Sequence, residues 1–326
     1  MQRMLFVGIL VFIVIVLVWA IAKMFRLKKI FLRKIIAKKL MNCQMFSTLI
    51  VNDLADYVLR LPQKTKVEVF KALKEDNIKN LLKLIGDEKH KKRLEMLIGG
   101  KAMPKKDDEI GLLVAASLCV KNNRQDKALK LLKNLNNIRS NTPEYACKKM
   151  CEAKIGLFEG DMAVASADLA EALRIFQKKN MLYEEAEAYF VLGTMYRVSG
   201  VFDAAEFMFR SAVKVALFLG AKNFLTEVFA SMALSMSVQN RFEEAENYLN
   251  KAAESAENNE VQKGFVECQK AMLLLAEKKF DKAETLANSI VKKTKDEAVK
   301  VFGYEVLCRI WNQKHKYKNI KNRRSN

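Results

Sequence analysis

The chain has 326 residues, of which 51% are apolar and 29% are charged, with a formal net charge of +20. This apolar fraction excludes an intrinsically disordered chain and is sufficient for a sizeable buried core. Six scattered cysteines do not make the disulfide framework of a small secreted domain, so free thiols in a reducing compartment are expected.

Residues 4–22 form an uncharged apolar segment, and a dense group of cations follows it. Fourteen of these nineteen residues are Leu, Ile, Val or Phe, and a helix of this length spans about 28 Å, close to the hydrocarbon core of a bilayer. Eight of residues 23–39 are Lys or Arg, whereas Arg3 is the only cationic side chain before the segment. By the positive-inside rule we expect a transmembrane anchor over residues 1–24, at an inner or plasma membrane. The bulk of the chain is then cytoplasmic.

A second interpretation of the same segment stays open. Ala20-Ile21-Ala22 has the small residues of a signal-peptidase site after an apolar region, so a cleaved and exported form is the alternative. The cations that would follow the cleavage site resist export, which favours the uncleaved anchor.

Residues 25–44 combine cations with aliphatic and aromatic side chains. This composition is typical of a helix in the headgroup region of a membrane, with its apolar side chains buried and its charges raised toward anionic phosphates. The predicted lipid-headgroup ligands are Lys28, Lys29, Arg33, Lys34, Lys38 and Lys39. The same cations are also explained as determinants of topology alone.

Residues 45–104 are predicted to be helical, either as degenerate repeats or as a separate small helical domain. Apolar residues at helical spacing precede Pro62, namely Leu54, Tyr57, Val58 and Leu61. Further apolar positions suggest one or two more helices, and Gly99-Gly100 ends the region.

The second half of the chain carries an internal repeat. Three segments align without gaps, at residues 202–206, 242–246 and 280–284, and weaker copies precede them. The alanine at the fourth position recurs every 37 to 40 residues, at Ala128, Ala165, Ala205, Ala245 and Ala283. Apolar residues around each alanine follow helical spacing, so each of the five units is predicted to be two antiparallel helices.

Small residues are predicted where the two helices of a unit approach most closely. In the unit 186–219 these are Gly193 and Ala205, because a larger side chain would separate the helices. Phe209 is predicted to fill the space between one pair and the next. Residues 296–312 supply one more apolar helix, which is expected to cap the array.

This pattern resembles the tetratricopeptide repeat, in its longer-repeat form. In residues 186–219 the signature positions of that family hold Leu192-Gly193, Tyr196, Gly200, Ala205, Phe209 and Ala212. The resemblance covers roughly residues 109–295, and the proline that usually ends each unit in the family is absent. It implies an all-α fold, with an α-solenoid of helix pairs and a capping helix over residues 105–313, followed by a basic tail at 314–326.

The resemblance also implies a binding groove, lined by the first helix of each pair and suited to extended peptides or helices. The matching positions are Met150, Lys154, Phe158, Phe190, Thr194, Arg197, Val198 and Leu234. One subgroup of the family binds acidic chaperone tails through a clamp lysine. Met150, Phe190 and Ala230 stand at the clamp position here, which argues against that ligand class.

The sequence offers little support for catalytic or metal chemistry, so no cofactor is predicted. His90 and His315 lie in Lys-rich stretches, which predicts exposed side chains without a carboxylate partner nearby in the sequence. Cys147 and Cys151 are four residues apart, but no second Cys or His pair accompanies them, which favours buried structural thiols. The sequence has no Gly-rich phosphate loop.

These observations favour a membrane-anchored, non-enzymatic adaptor or scaffold that binds partner proteins or peptides through the groove. Two alternatives stay open: an exported repeat protein of envelope or secretion assembly, and a membrane-tethered RNA- or ribosome-binding module that uses the basic tail. Residues 109–313 carry 28 cationic and 27 acidic side chains, so nucleic acid is not the expected partner of the array.

Overall fold

The computed structural model describes residues 23, 24, 30, 48–74, 78–97, 103–135, 137–256 and 259–324. Every regular element in these residues is an α-helix, which confirms the all-α prediction. Of the predicted anchor at residues 1–24, residues 1–22 lie outside the described residues. Among the helices that are described, none combines the length and the apolar character needed to cross a membrane. The chain divides into two compact units, residues 1–138 and 139–326.

The described part of the first unit is built from short helices. They are α1 (Thr48–Arg60), α2 (Gln63–Lys74), α3 (Ile78–Leu84), α4 (Glu88–Leu97), α5 (Glu109–Lys121) and α6 (Gln125–Lys133). The predicted stripe is confirmed, since Leu54 and Val58 belong to a buried core. α1 ends before Pro62 because a proline disfavours helical backbone in the residue that precedes it.

The first predicted repeat pair belongs to this unit and not to the array that follows. Val114 and Ala115 of α5 lie in the same core as Leu54, and Leu131 of α6 packs against it. The boundary between the two units therefore falls inside the range 105–313 that the sequence pattern groups together.

The second unit is an array of helix pairs. The pairs are α7 (Pro143–Glu159) with α8 (Met162–Lys178), α9 (Leu182–Val198) with α10 (Phe202–Leu219), α11 (Lys222–Val238) with α12 (Phe242–Ser255), and α13 (Glu260–Ala276) with α14 (Phe280–Lys293). A last helix, α15 (Glu297–Arg324), follows them. The two helices of each pair pack together, and each second helix packs on the first helix of the next pair.

Small residues lie where the helices of a pair meet. All five repeated alanines have 0% exposure. A Cβ atom added to Gly193 on α9 would lie 2.6 Å from Cδ1 of Phe209 on α10, which is closer than two carbon atoms can approach. The prediction of a close approach at Gly193 is confirmed. Phe209 fills space inside its own pair, because its ring also contacts Phe190 of α9.

The turn inside each pair repeats as regularly as the alanines. One residue of each turn has a positive φ, at Asn123, Gly160, Gly200, Asn240 and Lys278. The backbone N–H of the residue after it donates to a carbonyl five residues earlier, at 2.8–3.0 Å in all five turns. This left-handed closure satisfies the last carbonyls of the first helix. Asn180 and Gly220 have positive φ after α8 and α10, and end these helices without the proline that the family usually has.

α15 is longer than the sequence predicted. Its buried residues Val299, Val306 and Ile310 join the core of the last pair, as expected of a capping helix. The helix continues to Arg324, whereas residues 314–326 were predicted to be a separate tail. Lys314 Nζ lies 2.7 Å from Asp281 Oδ1 and 3.0 Å from Glu284 Oε2, so the start of the basic stretch is held against α14.

Replacing Gly193 by Val is expected to destabilise the protein by about 1–3 kcal/mol, because the new side chain overlaps the Phe209 ring. The matched control is Ala170→Val at an exposed position of α8, where only helix propensity changes, by less than about 0.7 kcal/mol. Urea unfolding followed by far-ultraviolet circular dichroism compares the two variants. Equal midpoints would contradict the close approach of α9 and α10.

Candidate functional site

The first helices of the second unit form one continuous surface. α7 contacts α9, α9 contacts α11, α11 contacts α13, and α13 contacts α15. In the part of the chain that the structure describes, successive second helices barely touch. Successive first helices are therefore closer to one another than successive second helices are, and they lie together on one side of the array. We call their solvent-facing surface the inner face.

Two of the predicted groove residues are part of the packing between helices. Met150 on α7 is buried. The ring of Phe190 on α9 lies 5.9 Å from the ring of Phe209 and 5.7 Å from that of Phe224, measured between centroids. Both side chains therefore hold neighbouring helices together; Met150 has little surface left for a partner, and Phe190 is half-buried.

Three other predicted residues are distributed along α7 and α9. Phe158 and Val198 are 67% and 56% exposed, at the C-terminal ends of their helices. The Thr194 hydroxyl donates to the carbonyl of Phe190 at 3.0 Å, so its donor is already used. Val238 is likewise 56% exposed at the end of α11, so exposed apolar area of the inner face lies at the C-terminal ends of α7, α9 and α11.

A cavity of ≈ 190 Å³ lies between α11 and α13, and Leu234 lines it. The other lining residues are Ala233, Ser237, Val238, Leu249, Gln269, Met272, Leu273 and Ala276. This volume is below the range of about 300–1,000 Å³ that is usual for small-molecule sites, and it suits one apolar side chain of a bound peptide.

The cavity lies at repeat positions whose side chains differ from those of the preceding pair. Gly193 and Phe209 contact each other in the preceding pair. The equivalent positions of the next pair, 40 residues later in the sequence, hold Ala233 and Leu249, which line the cavity. Leucine is smaller than phenylalanine but alanine is larger than glycine, so this contact is filled by side chains of a different shape, and both of them line the cavity. The sequence prediction missed Met272, although it follows Leu234 by 38 residues, the interval that separates the last two repeated alanines.

Most described cations of the inner side are paired within the array. Lys154 on α7 forms an ion pair with Glu187 on α9. Burial alone lowers the pKa of Lys154, but the charge of Glu187 outweighs it and raises the pKa above its ordinary value. Lys149 Nζ lies 2.8 Å from Asp168 Oδ1 on α8. These two lysines are therefore occupied by carboxylates of the chain.

Arg197 on α9 is different. Its Nε atom is buried and has no hydrogen-bond partner among the described residues. Burial lowers the pKa of Arg197, and no neighbouring carboxylate offsets the effect. A half-buried guanidinium in this state favours an added acceptor, above all a carboxylate. Arg197 and Ser237 occupy equivalent positions in successive repeats, and Ser237 lines the cavity. Arg197 and the cavity therefore lie at the same level of the inner face.

The other sequence-predicted ligands have separate outcomes. The lipid-headgroup residues Lys28, Lys29, Arg33, Lys34, Lys38 and Lys39 lie outside the described residues. Cys147 and Cys151 are buried thiols, as predicted. Burial raises the pKa of Cys147 well above its ordinary value and that of Cys151 to about 12, so both stay protonated at neutral pH. Within the described residues, no group of His, Cys, Asp and Glu is arranged to hold a metal ion.

The prediction of an exposed, unpartnered His90 is wrong. Its Nε2 lies 3.1 Å from Asp53 Oδ2, and its Nδ1 lies 2.5 Å from Asp87 Oδ2. The ring stacks on Tyr57 with 4.3 Å between centroids. A ring with one carboxylate at each nitrogen is held as an imidazolium that donates to both.

Arg93 extends this arrangement into a charge cluster of Asp53, Asp87, His90, Arg93 and Asp108. Arg93 donates to both Asp53 and Asp108. Asp108 also accepts from the backbone N–H of Gly111 at 3.0 Å and so caps α5. A Cβ atom on Gly111 would lie 2.3 Å from Asp108 Oδ2, so this cap requires glycine. The charge cluster joins α1, α4 and α5, and its groups hold one another.

No family model matches the chain, and no curated protein matches it.

Replacing His90 by Gln is expected to remove a pH-dependent part of the stability. Burial lowers the pKa of His90, but Asp53 and Asp87 outweigh it and raise the pKa above its ordinary value of 6.5. The stabilisation is therefore complete below about pH 6.5 and is lost as the pH rises through the folded-state pKa. Urea midpoints of the wild type and the variant should differ most at about pH 5.5 and least at about pH 9.

The control for this measurement is Lys89→Gln, an exposed neighbour of His90. The pKa values of Asp53 and Asp87 are lowered from 3.8, so both carboxylates stay ionised throughout the pH range of the measurement. A difference between wild type and His90→Gln that is constant with pH would contradict the imidazolium assignment.

Proposed function

We propose that this chain is a membrane-anchored adaptor that binds partner proteins or peptides through the inner face of its second unit. The observation that carries the proposal is the combination of the cavity between α11 and α13 with Arg197 at the same level. A protein segment with an apolar side chain for the cavity and an acceptor for Arg197 would satisfy both at once. Extended and helical segments both offer such pairs of side chains.

The same proposal includes that the helix pairs of the second unit are tetratricopeptide-like repeats. The buried alanines, the close approach at Gly193 and the left-handed turn in every pair support this assignment. The proposal includes no catalysis. His90 is held between two carboxylates, and Cys147 and Cys151 are buried with raised pKa values, so these groups are poor candidates for a general base or nucleophile.

The membrane part of the proposal rests on the sequence. The uncharged segment 4–22 and the eight cations of residues 23–39 favour a single-pass anchor with the array in the cytoplasm. The apolar and cationic residues 25–44 favour additional contact with anionic lipid. The near-neutral array disfavours RNA as the ligand of the inner face.

Arg197→Glu combined with Leu234→Glu is expected to abolish capture of partner proteins by the full-length chain from detergent-solubilised membranes. The first change reverses the charge that would receive the partner's acceptor, and the second places a carboxylate in the apolar cavity. Quantitative mass spectrometry after nuclease treatment measures capture. Phe218→Lys is the control, because Phe218 is 79% exposed on α10, a second helix.

Two results would redirect the assignment. Capture that is unchanged by the two substitutions on the inner face would remove the inner face from the proposal. Capture that is lost with residues 314–326, or on nuclease treatment, would favour the RNA- or ribosome-binding alternative.

The topology is tested with a cysteine at Ser166, which is exposed on α8, in a chain whose Cys43 and Cys308 are replaced by Ser. We expect an impermeant maleimide to label Ser166→Cys only after the membrane is opened, because the cations after residue 22 retain the array in the cytoplasm. Labelling in intact cells, or a mature protein that begins at Lys23, would support the exported alternative.

A further inference from the structure

Each first helix of the array has one exposed apolar side chain at its C-terminal end. Phe158, Val198 and Val238 are 67%, 56% and 56% exposed, and Ala276 is exposed at the end of α13. Each of them stands seven residues before the repeated alanine of its pair, so they hold equivalent positions in successive repeats. We call these four residues the inner row, because the first helices that carry them contact one another in succession.

The spacing of the inner row is set by helix packing. Helices in contact lie about 8–10 Å apart, so the row offers one apolar side chain at each such interval, with space for a ligand side chain between neighbours. The last of these spaces is the cavity of ≈ 190 Å³, which Val238 and Ala276 both line. A ligand that follows the row must therefore present apolar side chains at intervals of about 8–10 Å.

Polyproline II backbone has this interval. It has three residues per turn and rises about 3.1 Å per residue, so every third side chain points to the same side about 9 Å further on. Side chains on one face of a β-strand recur at about 6.6 Å, and those one turn apart on an α-helix recur at about 5.4 Å. An α-helix matches the row only between residues seven apart, at about 10.5 Å. The inner row therefore favours an extended ligand over a strand or a helix.

The surface beside the inner row suits a thin ligand. One helical turn before Phe158 stands Lys154, which is paired with Glu187. One turn before Val198 stands Thr194, whose hydroxyl already donates to its own helix. A bound α-helix, about 10–12 Å across, would cover these groups. Covering a paired charge costs desolvation free energy and adds no new bond, whereas a single extended chain leaves the pair in water.

Arg197 contributes the charge of this surface. It precedes Val198, and its buried Nε has no hydrogen-bond partner among the described residues. A carboxylate of the ligand would provide the missing acceptor. The cavity lies beyond α11, one and a half helix spacings from α9. This distance is about 12–15 Å, which four or five residues of polyproline II span.

We propose that the inner row binds an extended, polyproline II-like protein segment with an apolar residue at every third position. The segment also carries a carboxylate for Arg197, about four or five residues from the apolar residue that enters the cavity. This inference rests on the proposed function, and it specifies the partner segment by its backbone conformation, its spacing and its charge.

The experiment selects phage-displayed random peptides on the full-length protein in lipid nanodiscs. Empty nanodiscs remove the peptides that bind lipid, and Arg197→Gln is a second target selected in parallel. We expect the enriched peptides to carry apolar residues at every third position, with Asp or Glu at a fixed distance from one of them. Selection on Arg197→Gln should keep the three-residue interval and lose the acid, because the charge of the target is removed while its apolar row is kept.

Synthetic copies of one enriched peptide test its backbone by fluorescence anisotropy. Proline between the apolar positions should leave binding unchanged, because polyproline II accommodates proline and a helix does not. One glycine inserted between two apolar positions should weaken binding about tenfold or more, because it places one apolar side chain out of step with the row. Phe218→Lys on the second helix α10 is the control and should bind the peptide as the wild type does.

Three results would overturn the inference. They are no enrichment over empty nanodiscs, enriched peptides with helical spacing that lose binding with proline, and an acid preference that survives in Arg197→Gln. Failure of the proposed function is measured separately, by capture from membranes. Capture that depends on the inner face, together with helical selected peptides, would keep the adaptor and reject the extended segment. Peptides with the three-residue interval, together with capture that ignores the inner face, would keep the inner row and reject the adaptor.

Discussion

The second unit depends on how closely the two helices of each pair approach. Close approach requires a side chain no larger than methyl at one position of the contact, and in this unit four alanines with 0% exposure meet this requirement. At Gly193 even a methyl group would collide with Phe209. The short left-handed turn follows from the same geometry, because it connects two antiparallel helices only when they lie this near to each other. The cavity between α11 and α13 lies where Ala233 and Leu249 occupy the positions that Gly193 and Phe209 hold in the preceding pair.

The parts of the fold that could be predicted from the sequence are those set by local spacing. Helical periodicity and the recurrence of alanine located every helix pair of the second unit. This was possible because two residues in contact there are separated in the sequence by about one repeat or less. The charge cluster of the first unit could not be found this way. His90 and Asp53 are 37 residues apart in an irregular region, and a Lys-rich stretch around a histidine normally indicates an exposed side chain. For the same reason the pattern grouped α5 and α6 with the array, although their apolar residues pack on the first unit.

The candidate site shows what the position of a residue within its repeat cannot predict. Position within the repeat identified the helices that form the inner face, and it pointed to Arg197 and Leu234. It did not distinguish a side chain available to a partner from one engaged by a neighbour. The repeat pattern predicted Phe190, Lys154 and Arg197 alike as groove residues on first helices. In the structure Phe190 packs against Phe224, and Lys154 is paired with Glu187. Whether a carboxylate is within reach of a cation depends on side-chain rotamers and on the neighbouring helix. The residue type at one position of a sequence does not determine either of these.

The internal pairing of lysines along the inner face has a kinetic consequence. Lys154 and Lys149 are neutralised by Glu187 and Asp168, and residues 109–313 sum to a net charge of only +1. Such a surface produces little long-range field, so a partner would arrive by unassisted diffusion, with an association rate constant of about 10⁵–10⁶ M⁻¹s⁻¹. Electrostatically steered complexes reach about 10⁸–10⁹ M⁻¹s⁻¹ and slow steeply with salt. Discrimination between partners at this face would therefore lie in how long each one stays bound, and the rate of encounter would be nearly indifferent to ionic strength.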